Sequence, residues 1–444
     1  MIGAPAATWT NSSTPSATLS NEGKTGNTLG FSVALSQDDT TALVGAWAVG
    51  AAYIFHAAHG DWVTSSAPTA TLTNASLPTG QGFGWSVALS SDGTTALIGD
   101  LYAGSNAGAA CVYHVAAEGS WTKMTSPTAT LTRTGPGNFG ASVALSADGS
   151  TALIGASLGS SGGSSAGAAY IFHAAAESSW ASTSSPTATL THTGGGEEEL
   201  GGAVALSADG TTALVAAFGA GAAYIFHTAA EGGWTSASSP GAVLTDGGTS
   251  TSNGLGWSVA LSADGTTALT GSWFVDNGTG GAAYIFQASA ETAWTSTATP
   301  AATLTNAAGK KEGRFGSFVA LSADASQALI GSSGQGSAFV YPASPASDRS
   351  SLSVSTHWRP QLSPPRTVVT FRAVDFPATQ ASLALRIYAR STGQQLYFIK
   401  MVLSDGAGAL WRALPCGSYQ VKYHHGDGTL GFRYFTVTDG GTCP

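Results

Sequence analysis

Cysteine, charge and long apolar runs are all scarce in this chain. Three cysteines among 444 residues cannot form the disulfide framework of a small secreted domain. Charged residues are only 9%, against an ordinary share of about a quarter. Hydrophobic residues nevertheless reach 43%, enough to build a core, so the low charge does not describe a solvated, disordered chain. No apolar stretch reaches the length of roughly 18 residues expected of a membrane-spanning helix. Met1-Ile2-Gly3-Ala4-Pro5 lacks the basic-then-apolar order of a secretory leader. No metalloprotease His pair, phosphate loop or dinucleotide loop occurs. Glycine, by contrast, is abundant at 59 residues, but without the Gly-X-Y period of collagen.

The few charges divide unevenly. Residues 1–342 carry six Lys/Arg against twenty Asp/Glu, a net −14, whereas residues 343–444 carry ten against five, a net +5. The acidic part lacks the clustered cations that phosphates require, and the basic part spaces its arginines singly (Arg359, Arg366, Arg372, Arg386). A nucleic-acid partner is therefore not expected.

A repeat dominates the first 342 residues. Val-Ala-Leu-Ser occurs six times, beginning at Val33, Val87, Val143, Val204, Val259 and Val319, with spacings of 54, 56, 61, 55 and 60. Five residues after each Val stands an Asp, from Asp38 to Asp324. An Ala-Leu pair follows, then an aromatic-rich run such as Ala52-Tyr53-Ile54-Phe55. Last comes a Trp with Pro six residues on, as in Trp121 and Pro127. Asp-Gly turns between β-type runs predict hairpins, and no segment keeps a helical period. Four short strands per repeat predict an all-β, six-bladed β-propeller. The chain opens with a Trp9–Leu19 strand, and the sixth unit ends at Tyr341 without one. The N-terminal strand is thus expected to close the last blade.

Phe83-Gly84, Phe139-Gly140 and Phe315-Gly316, each followed by the Val-Ala-Leu-Ser strand, together with Gly45-Ala46 and Gly155-Ala156, resemble the FG-GAP repeat of integrin α-chains and bacterial surface proteins. The resemblance covers residues 9–342. It implies a propeller that binds ligands on its variable-loop face, and a secreted or cell-surface location. Calcium loops of many such proteins alternate Asp/Asn before a Gly. Here the turns hold one Asp, or two in Asp38-Asp39, too few oxygens for a hard cation, so no cofactor is expected.

Two links vary in length, between the second and third strands and from the fourth strand to the next blade, and both emerge on one face. Variable loops on a rigid ring are the expected place for ligand reading. Trp47, Tyr102, Phe218, Trp273 and Phe274 lie on the second-to-third links, and Phe31, Trp85 and Trp257 begin first strands. Such aromatics either stack on a sugar face or protein hot spot, or plug the channel and pack between blades. Charged insertions on the same face, represented by Glu198 and Lys311, either touch a polar ligand or are solvated loop tips. The repeating Trp residues are architectural. Cys111 replaces the tyrosine of sister strands and reads as a small buried hydrophobe. His56, His114, His173 and His227, one per blade, stand too far apart to share a metal.

The expected function is a monomeric binding or adhesion propeller recognising a glycan or a protein, with no catalytic residue assigned. The alternatives are a purely structural surface module, or a polysaccharide-acting hydrolase or lyase with carboxylates such as Asp100 and Asp276 meeting at the channel mouth. After a linker at 343–350, residues 351–444 hold alternating strands. Gly417-Ser418-Tyr419-Gln420-Val421 resembles a late strand of immunoglobulin-like or fibronectin-like sandwiches. Cys416 and Cys443 either pair with each other there or remain two thiols.

Overall fold

The computed structural model describes Pro15 and residues 17–343, apart from 22–27, 58–59, 77–81, 135–136, 158–165, 194–198, 249–253, 274–279 and 307–312, and seven strands between Ser351 and Val437. The repeats fold as successive antiparallel sheets whose strands lie in chain order. Blade 1 comprises Val33–Leu35, Thr41–Ala46, Ala51–His56 and Ala70–Leu72. Blades 2 to 5 repeat this four-stranded plan, beginning at Phe83, Phe139, Leu200 and Leu255. Blade 6 comprises Phe315–Leu321, Gln327–Ser332 and Ser337–Pro342. This is an all-β propeller with six blades.

The repeated aspartate has a local explanation. In blade 2, Ser90 Oγ and the Thr94 amide both donate to Asp92 Oδ1, at 2.7 and 3.2 Å, while the Thr95 amide donates to Ser90 Oγ at 2.9 Å. The same closed set recurs around Asp38, Asp148, Asp209, Asp264 and Asp324. A carboxylate that accepts amides two residues on substitutes for a backbone turn bond. The repeated tryptophans tie the same turns down. Trp121, Trp180, Trp234 and Trp294 are buried, and each Nε1 donates at 2.8 Å to a turn glycine carbonyl, such as that of Gly93.

The core lies between blades rather than within a central cavity. Leu97 and Val112 of blade 2 pack with Phe139, Val143 and Ile154 of blade 3 in one apolar layer, and each successive junction repeats the pattern. Fully burying a ring such as Phe139 contributes roughly 2–3 kcal/mol. Backbone bonds then link turn to turn along the series: Gln37 N to Ser91 O, Ser91 N to Ala147 O, Ala147 N to Ala208 O, Ala208 N to Ala263 O and Ala263 N to Ala323 O, all 2.8–2.9 Å. Small residues permit this approach. A methyl on Gly99 or Gly155 would run into the carbonyl oxygen of Gly140 or Gly201 in the next blade.

The sixth junction differs. A methyl on Gly30 would meet nothing within 4 Å, and one on Gly331 would meet Phe318 of its own blade. Val33 is 67% exposed on blade 1, and Phe318 is 62% exposed on blade 6. Thr18–Ser20 does occupy a fourth-strand position beside blade 1: Leu19 bridges Ser65 as Leu72 bridges Met124. The expected pairing of this segment with Ser337–Pro342 is not present among the described residues, so blade 6 has three strands where the sequence predicts four.

Beyond the blades, strands run in two sheets. One orders Ser351–Arg359, Arg366–Val374 and Gly408–Ala413. The other orders Gln395–Val402, Ser382–Ala389, Gly417–His424 and Leu430–Val437.

Candidate functional site

Two repeat positions build the aromatic surface. The first follows the Phe-Gly or Leu-Gly pair at the start of each blade. There the ladder skips: Phe83 pairs with Asp100 and Ser86 with Gly99, leaving Gly84 and Trp85 as a bulge. The same break leaves Gly256 and Trp257 unpaired in blade 5. Gly84 and Gly256 have φ of 90° and 91°, which an L side chain resists, and the bulge re-aims the next side chain out of the sheet. The second position follows the second strand. Trp47 and Phe218 each open a single 3₁₀ turn that ends on a left-handed glycine, Gly50 or Gly221.

These positions meet across blade boundaries and form two clusters. In the first, Phe31 lies 4.7 Å from Trp85 and 6.1 Å from Trp47, Trp47 lies 5.6 Å from Trp85, and Tyr102 adds a fourth ring 6.2 Å from Trp85. In the second, Trp257 lies 5.1 Å from Phe218 and 5.2 Å from Trp273. Most pairs are edge-to-face, the arrangement favoured by ring quadrupoles. Phe31, Tyr102 and Trp257 stay 42–44% exposed, and the other rings are half-buried. The rings therefore support one another and leave apolar surface open to solvent. Trp85 and Trp257 hold the same position three blades apart.

Each cluster has its own polar neighbour. Asp100 ends the second strand of blade 2 and is 4% exposed. The exposed loop carboxylate expected there is thus a buried strand terminus. Burial pushes its carboxyl up to about 6, against the lowering effect of the Tyr102 and Ala103 amides. Its Oδ1 and the Trp47 Nε1 are buried without a hydrogen-bond partner among the described residues. In the second cluster, the Arg314 guanidinium sits 5.0 Å over the Trp273 ring. Arg314, which the sequence groups with the charged insertion before blade 6, occupies the residue before each Phe-Gly or Leu-Gly pair. All six occupants, Thr28, Gly82, Asn138, Glu199, Gly254 and Arg314, have positive φ.

The opposite face carries the repeated His and Glu residues. His114 Nδ1 is 3.0 Å from Thr95 Oγ1, and burial lowers its pKa, favouring the neutral ring. Glu118 of blade 2 accepts from Thr40 of blade 1 at 2.6 Å, and Glu177 accepts from Thr94 at 3.0 Å. These residues staple neighbouring blades. The calcium of the resembled repeat does not fit these turns, because their carboxylates already accept hydroxyls and amides. Among the described residues no group of three His, Cys, Asp or Glu converges.

Of the residues picked out from sequence, Trp47, Trp85 and Tyr102 come together, as do Phe218, Trp257 and Trp273. Phe274, Glu198, Lys311, Asp276, Cys416 and Cys443 lie outside the residues whose side chains are described. Cys111 is fully buried as a free thiol, and burial raises its pKa to about 12. Among the described residues no helix is long and apolar enough to cross a membrane.

A model of the FG-GAP repeat matches residues 136–172, which run from the Phe139-Gly140 pair through the third strand of blade 3. No curated protein matches the chain. Among solved structures, the chain is similar to the Cps50 (Swd1) β-propeller domain of Myceliophteria thermophila, at 12% identity over 71% of this chain and 96% of that one, with a TM-score of 0.39. It is similar to a Polycomb Repressive Complex 2 chain of Chaetomium thermophilum, at 10% identity, 70% and 82% coverage and a TM-score of 0.45. It is also similar to the periplasmic gluconolactonase PpgL of Pseudomonas aeruginosa, at 13% identity, 90% and 96% coverage and a TM-score of 0.33.

Proposed function

We propose that this chain is a binding propeller that takes a glycan on its variable-loop face. The observation that carries this reading is the pair of aromatic clusters three blades apart, each with one or more rings more than 40% exposed. Aromatic faces stack on the C–H faces of pyranose rings, and polar groups at the edge then select hydroxyl patterns. Binding rather than turnover is the role proposed, with no bound metal. The FG-GAP match at residues 136–172 supports an extracellular setting, since such repeats are typical of extracellular proteins. In that setting residues 351–444 serve as a small β-sandwich that spaces or docks the propeller.

We propose also that Ala17–Leu19 closes the ring as the fourth strand of blade 6. The described residues supply 23 blade strands, and the N-terminal segment would complete six blades of four. Gly331 and Gly30 then meet as Gly99 and Gly140 do.

A glycan array followed by titration calorimetry tests the glycan reading. Wild-type protein is expected to retain an oligosaccharide, with Trp85→Ala and Trp257→Ala each weakening it about tenfold or more. Capture of a protein by this face, with no oligosaccharide bound, would replace the glycan with a protein ligand.

A further inference from the structure

Resting on the glycan reading, we propose that the cluster of blades 4 to 6 is a subsite for a carboxylate-bearing sugar. A uronic acid residue would stack on Trp257 with its carboxylate on Arg314.

The first support is the charge setting. Residues 1–342 hold only six Lys/Arg against twenty Asp/Glu, yet one of the six stands beside an open aromatic surface. Arg314 is exposed, and it forms no ion pair among the described residues.

The second support is conformation. Arg314 has φ of 53°, a region that costs a non-glycine residue about 1 kcal/mol or more. Blades 2 and 5 hold Gly82 and Gly254 at the same position. Thr28, Asn138 and Glu199 hold positive φ at this position too, so the fold sets the backbone angle and a glycine there would relax it.

The third support is orientation. The guanidinium lies 5.0 Å over Trp273, and Trp273 packs edge-to-face on Trp257 at 5.2 Å. A stacked guanidinium loses little further freedom when its edge N–H groups donate to a carboxylate in a two-pronged bond. A pyranose on Trp257 would place a ring substituent toward that edge.

The other cluster serves as an internal contrast. At the Arg314 position blade 2 has Gly82, and its polar neighbour is the buried Asp100 carboxyl. Among the described residues that cluster has no cation to attract an acid, and its polar neighbour suits hydroxyl groups. A flat, edge-supported ring pair also favours a sugar over an acidic peptide, which needs pockets for alternating side chains.

The test uses the full chain, with tetragalacturonate and its neutral analogue galactotetraose as probes, read by tryptophan fluorescence and calorimetry. Wild type is expected to bind the uronate, more weakly at about 0.5 M salt. Arg314→Gly should weaken the uronate about tenfold or more and leave the neutral sugar unchanged. It should keep or raise the melting temperature, which separates ligand binding from a structural role. Arg314→Lys should fall between. If Arg314→Gly binds the uronate like wild type, the proposal fails. If the neutral sugar alone binds and Trp257→Ala abolishes it, the glycan reading stands and the uronate subsite falls. If neither sugar binds, both fall. If oligoglutamate binds as tightly as the uronate and depends equally on Arg314, the ligand is an acidic peptide and the sugar subsite is overturned.

Discussion

Glu231 of blade 4 accepts a hydrogen bond from the Ser150 hydroxyl of blade 3 at 3.1 Å, while its carboxyl faces the Asp148 carboxylate of the same turn. Burial and the neighbouring Asp148 push Glu231 up from 4.5 to about 7, although the Thr151, Ser146 and Ser150 hydroxyls favour its charge. The staple is therefore most comfortable when protonated.

This sets a pH dependence. The unfolded carboxyl ionises near 4.5 and the folded one near 7. A raised folded pKa contributes stability that is fully present below 4.5 and is lost as pH rises through 7. Thermal melts of wild type should decline across that window. Glu231→Gln keeps the hydrogen-bonding shape without the charge and should flatten the decline. An identical pH profile in both proteins would show that Glu231 does not titrate there.

The turn aspartates act as hydrogen-bond acceptors for the chain's own amides and hydroxyls. Asp148→Ala removes the bonds from Ser146 Oγ and the Ser150 amide, and should cost about 1–3 kcal/mol in denaturant unfolding. The loss should be the same in excess calcium and in chelator. Calcium-dependent stability that disappears with Asp148 would assign this turn a metal instead.

Ring closure predicts a specific cross-link. Blade 1 pairs Ala52 with Leu72, and the same register places Leu19 opposite Ala338. In a chain with Cys416 and Cys443 replaced by serine, Leu19→Cys and Ala338→Cys should form an intramolecular disulfide on mild oxidation. Cross-links only between molecules would show that the end faces meet on different chains.

Junction spacing predicts intolerance to a single methyl. Gly155→Ala drives its Cβ into the Gly201 carbonyl, and should destabilise by about 1–3 kcal/mol. Blade 4 holds Ala216 at the equivalent position across a wider junction, where a Cβ on Gly256 would stand 3.0 Å from the Ala222 oxygen, against 2.3 Å between a Cβ on Gly201 and the Ala168 oxygen. A melt unchanged by Gly155→Ala would mean the blades separate freely.

The blade plan was legible because each element is written six times. The Asp of the turn, the tryptophan ahead of the fourth strand and the small residues at the junctions each recur at one position. The aromatic sites were legible for a related reason: Trp85 and Trp257 stand where sister blades hold Ala141, Gly202 or Ser317. Relations that cross blades were not. Glu118 and its counterparts seemed scattered along the chain, yet each reaches the preceding blade. Asp100 resembled a loop residue until the bulge at Gly84-Trp85 extended its strand partner to Phe83. Arg314 was legible only as part of a charged insertion, because its contact with Trp273 crosses from one blade to the next.

The six left-handed residues before the Phe-Gly or Leu-Gly pairs behave as interchangeable sockets. Each backbone is already committed to its bend by the sheet on either side, so Thr28, Asn138, Glu199 and Arg314 can exchange identity without re-routing the chain. Two sockets, Gly82 and Gly254, stand blank. A collar of this kind separates the scaffold from its vocabulary: chemistry at the mouth can be rewritten one residue at a time while every blade stays in register.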